Sequence, residues 1–251
     1  MKLKNIELND FYVGYEVEGC LNSEENISFS NFERKIHAIH PKINIGDDGS
    51  INTKKSFDES FEIRTPPLKV KESIEVLKKV LNLVNEYGYT NSSTGLHASF
   101  SPICNDLYKK INPNYLSNLK LFKDIAEYFR RKSNPFCSFY GSKINKNKLK
   151  KYIKEHPSFL QIIKNKSALW QKCLNDYEKK YPFFKMSRSS YYCEHYSAVN
   201  FQHFTSKRNK SSRIEVRVMG NTNYHKKYDK IVDYTDKIIG AIKKSTEIEL
   251  I

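Results

Sequence analysis

The stretch Tyr12-Val13-Gly14-Tyr15-Glu16-Val17-Glu18-Gly19 constrains the chain most tightly. It alternates with a period of two, as a β-strand with one buried face does. Val13, Tyr15 and Val17 fall on one side, and Gly14, Glu16 and Glu18 on the other. Same-face neighbours on a strand stand about 7 Å apart, so the two carboxylates repel one another unless a cation lies between them. An isolated Glu-x-Glu is usually no more than a solvated strand face. Its weight here comes from later segments built the same way.

Ser60–Thr65 sets Glu62 and Arg64 opposite Phe61 and Ile63, and Pro66-Pro67 closes it. Thr94–Ser101 sets His97, Ser99 and Ser101 opposite Leu96, Ala98 and Phe100. Tyr196–Phe204 also alternates, and Arg213–Gly220 sets Glu215 and Arg217 opposite Ile214, Val216 and Val218. Between the first two strands, Ile43–Ile45, the Asp48-Gly49 turn and Ser50–Asn52 read as a hairpin. Asp48 serves equally as its turn residue or as a site residue.

Helical periodicity separates these strands. Ser30-x-x-Glu33 has capping-box spacing and predicts a helix carrying Phe32, Ile36 and Ile39, stopped by Pro41. Val70 to Val84 repeats at three- and four-residue intervals, which predicts a helix over 70–87 ended by Gly88. Residues 102–186 read as a mostly helical insertion. It holds a helix from Leu116 to Phe129 ending at Arg130-Arg131, a break at Asn134–Cys137, and helices over 146–155 and 157–179 with Trp170 as a packing residue. A last amphipathic helix spans about 226–243. The chain therefore reads as one α+β domain over 1–251, a sheet whose apolar side packs against helices.

Composition removes some classes. No run of 18 apolar residues exists, which argues against a membrane span, and Met1–Glu7 lacks the apolar region of a secretory signal. The five cysteines form no Cys-x-x-Cys pair, which argues for free thiols in a reducing cytoplasm and against zinc. Cys20 has no positioned base and is not expected to be a nucleophile. His37 and His40 lie three apart without a third ligand and read as surface residues. The net charge of +15 comes mainly from lysine. With abundant Asn, Ile and Tyr it suits an AT-rich genome, such as a phage or a low-GC bacterium, as well as a phosphate-bearing partner.

If the strands share one sheet, its polar side gathers Glu16, Glu18, Glu62, His97 and Glu215 with Arg64 and Arg217. Buried unpaired charges cost several kcal/mol each, so such a face needs water or cations. Carboxylates with an imidazole suit hard divalent cations, most naturally two Mg²⁺ or Mn²⁺, and arginines suit phosphate oxygens. These are the parts of phosphoryl transfer from ATP. A basic nucleic-acid-binding protein is the alternative from charge and from the loop Ser206–Lys210. A metal-dependent nuclease is its enzymatic form, although the acids repel a phosphate backbone unless metals mediate.

These residues resemble the amidoligases, which belong to the glutamine synthetase-like carboxylate–amine ligases. Four ordered blocks carry the likeness: Val13–Glu18; Asp48–Ile51 with Phe61–Leu68; Thr94–Ser99; and Val199-Asn200 with Ile214–Arg217. The resemblance implies a curved antiparallel sheet forming an active-site cleft, backed by helices. It implies that ATP phosphorylates a carboxylate and that an amine attacks the acyl phosphate. By this likeness Glu16, Glu18, Glu62 and Glu215 are metal ligands, with His97 beside metal and phosphates. Arg217 would stabilise the γ-phosphate in flight. Asp48, Arg64 and Asn200 would contact substrate or nucleotide, and Arg130 and Arg131 match a basic position of the family. Many members carry an arginine before the Tyr-x-x-x-Asn block, where this chain has Glu194-His195, with Arg188 further upstream. The carboxylate partner is equally a peptide, a protein side chain, a cell-wall fragment or a small metabolite.

Overall fold

Strand β1, Phe11–Leu21, lies at the middle of the sheet, and its register decides where every polar side chain points. The structure is a computed structural model, described here for residues 10–103, 110, 111, 116, 119–129, 199, 200, 203 and 212–247. The other strands are β2 (Asn44–Gly46), β3 (Glu59–Arg64), β4 (Leu68–Lys69), β5 (Gly88–Tyr89), β6 (Gly95–Pro102), β7 (Val199–Asn200) and β8 (Ile214–Gly220). They form one open antiparallel sheet in the order β2-β3-β1-β6-β8-β7, with β4 and β5 also paired to β1. With its helices this is an α+β fold.

Each edge of β1 is served by two segments, and the joints between them matter. On one edge β3 pairs with Glu16–Leu21 and β4 with Tyr12–Val13. Pro66-Pro67 interrupts the ladder there, and Thr65 bridges the gap. Its N–H donates to the Tyr15 carbonyl at 2.8 Å, and its Oγ1 accepts from the Tyr15 N–H at 2.8 Å. On the other edge β6 pairs with Phe11–Val17 and β5 with Cys20–Leu21. The Glu18 carbonyl falls in that gap and accepts from Tyr224 Oη at 2.6 Å. Buried backbone groups are satisfied on both sides.

The apolar face follows the two-residue alternation. Val13, Tyr15 and Val17, with Phe61, Ile63, Leu96, Ala98 and Phe100, are essentially fully buried. Helix α2 (Val70–Tyr87) packs across β1 with Leu77, Val80 and Val84, and α3 (Lys120–Phe129) packs on β8. Helix α4 (Tyr228–Ser245) contacts α2 and reaches the sheet through Thr235 Oγ1, 2.9 Å from Tyr15 Oη. The boundaries expected from periodicity hold for α2 and shift by two residues at each end of α4. Among the described residues, no helix is long and apolar enough to cross a membrane.

Two local expectations are overturned. Helix α1 runs Phe29–Ile39 with Ser28, not Ser30, as its N-cap. Ser28 has the extended backbone a cap requires, and its Oγ accepts from the Asn31 N–H at 3.3 Å. Starting two residues earlier also lets Phe29 join Phe32 and Ile36 against the core. The hairpin over 43–52 does not form. Strand β2 pairs with β3 instead, leaving 47–58 as a loop. Asp48 Oδ1 accepts from the Ser50 N–H at 2.9 Å, a local turn that competes with strand pairing. Beyond it, Asn52 N–H donates to Ser93 Oγ and Lys54 N–H to Tyr89 Oη, which carries the chain away from 43–45.

The expected helices at 146–155 and 157–179, Trp170, the Asn134–Cys137 break and the strand ends around Asn200 lie outside the described residues.

Candidate active site

The sheet's polar face is assembled by register. Opposite Glu16 stand His97 on β6 and Arg64 on β3. Opposite Glu18 stands Glu62, and opposite Glu215 stand Ser99 and Asn200. A β-bulge completes the set: Arg217 and Val218 of β8 together face the single residue His97. The extra residue keeps Arg217 on the polar face while Met219 and Val218 both stay buried.

Glu16, His97 and Glu215 each offer one ligand atom, and these atoms lie within 4.8 Å of one another. His97 is 2% exposed. Its Nδ1 is 3.1 Å from Glu16 Oε2 and 3.7 Å from Glu215 Oε1, and its Nε2 is 3.6 Å from Glu18 Oε1. That last distance is too long for a hydrogen bond, and among the described residues Nε2 has no hydrogen-bond partner. A neutral imidazole offers one lone pair. With Nδ1 turned to a cation between Glu16 and Glu215, Nε2–H would point at Glu18, the arrangement that fixes a ligating histidine from behind.

The remaining groups orient the carboxylates. Asn200 Nδ2 donates to Glu215 Oε2 at 2.7 Å, and Arg217 Nη1 donates to Glu215 Oε1 at 2.6 Å. Gly95 N–H donates to Glu18 Oε2, and Arg64 Nη2 to Glu62 Oε2. Burial alone would raise the Glu16 carboxyl. The His97 hydrogen bond and the charges of His97, Arg217 and Arg64 outweigh it and hold it at about 2. Glu62 moves the other way, raised by burial and by the charge of Glu16 despite Arg64. Like charges directly opposite on neighbouring strands are destabilising, so the Glu18–Glu62 pair is a further place where a cation would relieve repulsion. The donor set fits a hard divalent ion: carboxylate oxygens and one imidazole, without thiolate.

The chain matches a family model described as "putative amidoligase enzyme" over residues 10–235. It belongs to the amidoligase family. The match takes in every residue of the Glu16–His97–Glu215 cluster together with Arg64, Asn200 and Arg217. Searches of curated proteins and of solved structures give no match.

Not every expected amidoligase residue joins the cluster. Asp48 sits in the 47–58 loop, half-buried and engaged in its own turn. Arg130, Arg131, Arg188 and Glu194-His195 lie outside the described residues. Cys20 is buried beside Asn52 and Asn91, and burial raises its thiol, which suits a packing role. Among the described residues, His37 pairs with the exposed Glu33 alone. Sequence reasoning missed Thr65, Ser212 and Arg213, which with Arg64, Ser99 and Ser101 line a cavity of about 270 Å³ next to Glu16. The signal for Arg213 was present: it keeps the two-residue period of Glu215 and Arg217.

Proposed function

We propose that the protein is an ATP-dependent carboxylate–amine ligase, its sheet being the catalytic fold of the glutamine synthetase-like enzymes. In the first step a substrate carboxylate oxygen attacks the γ-phosphorus of ATP, giving an acyl phosphate and ADP. In the second an amine attacks the acyl carbon, phosphate leaves, and one proton is released as the amide forms. The observation that carries the reading is the Glu16–His97–Glu215 cluster, with His97 Nε2, unpartnered among the described residues, behind it.

Glu16, Glu215 and His97 would hold the first Mg²⁺ or Mn²⁺, and Glu18 with Glu62 the second. Bound there, such ions neutralise phosphate charge and align the γ-phosphate. The chain's own groups do the rest. Arg217, fixed by Glu215, holds a guanidinium at the edge of the cluster, where charge grows on the transferring phosphoryl oxygens. Asn200 keeps Glu215 from turning away. Arg64, opposite Glu16, offers further N–H groups to phosphate or carboxylate oxygens.

The test is ADP formation from ATP and Mg²⁺ with pools of carboxylates and amines. Amine- and carboxylate-dependent ADP release, lost in Glu16→Gln and Glu215→Gln with folding retained, supports the ligase. Nucleic-acid cleavage without ATP would replace it with the metal-dependent nuclease.

A further inference from the structure

Glu18 is held at both its backbone and its carboxylate. Its carbonyl lies in the gap between β6 and β5 and accepts from Tyr224 Oη at 2.6 Å. One carboxylate oxygen, Oε2, accepts from the N–H of Gly95, the first residue of β6. The other, Oε1, stands 3.6 Å from His97 Nε2. A backbone amide bound to one oxygen makes a short, strong contact, so the position of Gly95 decides where Oε1 points. A carboxylate oxygen carries two lone pairs. Oε1 can therefore accept the Nε2–H and keep a second acceptor site on the polar face.

Gly95 sits where it does because of Gly220. The two are partners at the end of the β6–β8 ladder, and Gly220 has a φ of +125°, which glycine adopts without steric cost. A Cβ at 220 would lie 2.7 Å from Gly95 Cα and 2.9 Å from both Leu96 N and the Thr94 carbonyl oxygen. All three are backbone atoms, so no side-chain motion relieves the contact. Any larger residue there pushes the Gly95 amide away from Glu18. The chain then turns through Asn221 and Asn223, both at positive φ, which asparagine tolerates. Asn221 N–H donates to the Thr94 carbonyl at 2.8 Å, fastening the turn to the residue before Gly95. The turn ends at Tyr224, whose buried side chain reaches the Glu18 carbonyl. Backbone in such sparsely populated regions persists where its surroundings over-determine it, and it gathers at functional sites.

We infer that the turn over 220–224 positions the cation site, with Gly220 and Tyr224 as its positioning residues. Gly220 sets the Glu18 carboxylate through the Gly95 amide, and Tyr224 sets the Glu18 backbone. Glu18 Oε1 then takes the His97 Nε2–H, which leaves the Nδ1 lone pair for a cation held with Glu16 and Glu215. The inference rests on the cation-binding part of the ligase reading and is independent of the reaction itself.

The experiment is calorimetric titration of the 251-residue chain with Mn²⁺, without ATP, in the parent protein, Tyr224→Phe and Tyr15→Phe. Tyr15→Phe removes a buried hydroxyl contact, to Thr235, on the apolar face and so controls for a general loss of stability. Tyr224→Phe is expected to weaken Mn²⁺ binding about tenfold, the low end of what partners behind a ligating histidine contribute. Tyr15→Phe should leave it unchanged. Gly220→Ala should weaken it further where thermal melts show that variant folded, and Tyr224→Phe decides the matter where they do not. Long-range ¹⁵N–¹H spectra of the imidazoles in Mg²⁺, with His97 assigned by its loss in His97→Gln, give a readout that stability alone does not move. The parent should carry the His97 proton on Nε2, and Tyr224→Phe should show a mixture of both tautomers. A His97 proton on Nδ1 in the Mg²⁺-bound parent overturns the inference whichever variants fold. Parent-like Mn²⁺ affinity in Tyr224→Phe overturns it too, as does equal weakening in Tyr15→Phe. A parent that binds no Mn²⁺ overturns it together with the cation site. Weakened Mn²⁺ binding in Tyr224→Phe alone, without ADP formation from any carboxylate and amine, keeps the inference and rejects the ligase. ADP formation with Mn²⁺ affinity unmoved in Tyr224→Phe does the reverse.

Discussion

Two buried polar residues outside the cluster show how single groups set stability. His225 packs beneath Tyr224, its Nδ1 2.9 Å from Thr90 Oγ1. Burial, helped by the charge of Lys226, lowers its pKa from 6.5 to about 4. A folded value below the unfolded one means that the unfolded chain takes up the proton first as pH falls. The stability His225 allows is therefore complete above 6.5 and is lost as pH falls through about 4. Urea midpoints at pH 7.5 and 5 should differ in the parent protein, and His225→Gln should shrink that difference. Tyr15 makes a simpler case. Its hydroxyl meets Thr235 Oγ1 where both are buried. Tyr15→Phe leaves that partner unsatisfied and should cost about 1–3 kcal/mol in chemical denaturation; a neutral result would show that Thr235 finds another partner.

At the level of strands and helices, the two-residue alternation carried most of the information. Tyr12–Gly19, Ser60–Thr65, Thr94–Ser101 and Arg213–Gly220 all form strands with the expected polar faces, because one buried side fixes which residues point away from it. Alternation does not reveal how strands are joined. The bulge opposite His97 depends on backbone pairing between β6 and β8, and no residue type marks it. The 43–52 hairpin failed because Asp48 turns onto Ser50 locally while Tyr89 and Ser93 capture the following backbone. Glycines in β1 likewise take their meaning from neighbours. A Cβ on Gly19 would lie 2.5 Å from Phe61 Cζ, and that ring is itself packed on Phe32 at 5.1 Å. Gly19→Ala should therefore destabilise the β1–β3 pair by about 1–3 kcal/mol, read as a lower denaturant midpoint with an unchanged slope.

Over the whole molecule, the sheet divides the chemistry into two sides. One side is an apolar core under α2, α3 and α4, and the other gathers acids, an imidazole and arginines from strands far apart in sequence. The acids face one another at a cost, as the raised Glu62 carboxyl indicates. A cation that binds the folded form alone returns that cost as stability, about 2.7 kcal/mol at a hundredfold excess over Kd. Mg²⁺ should accordingly raise the melting temperature of the parent protein and leave Glu16→Gln unmoved. The family and the cluster were both legible from ordered motifs. The cavity beside Glu16 was not, since Thr65, Ser212 and Arg213 meet only through the pairing of β1, β6 and β8 and the turn at Pro66-Pro67. The central claim is that Glu16, His97 and Glu215 bind one divalent ion. Calorimetric titration of Mn²⁺ at pH 7.5 measures it directly: saturable binding in the parent protein and its loss in folded Glu16→Gln and Glu215→Gln is the predicted result, and undiminished binding in both variants would contradict it.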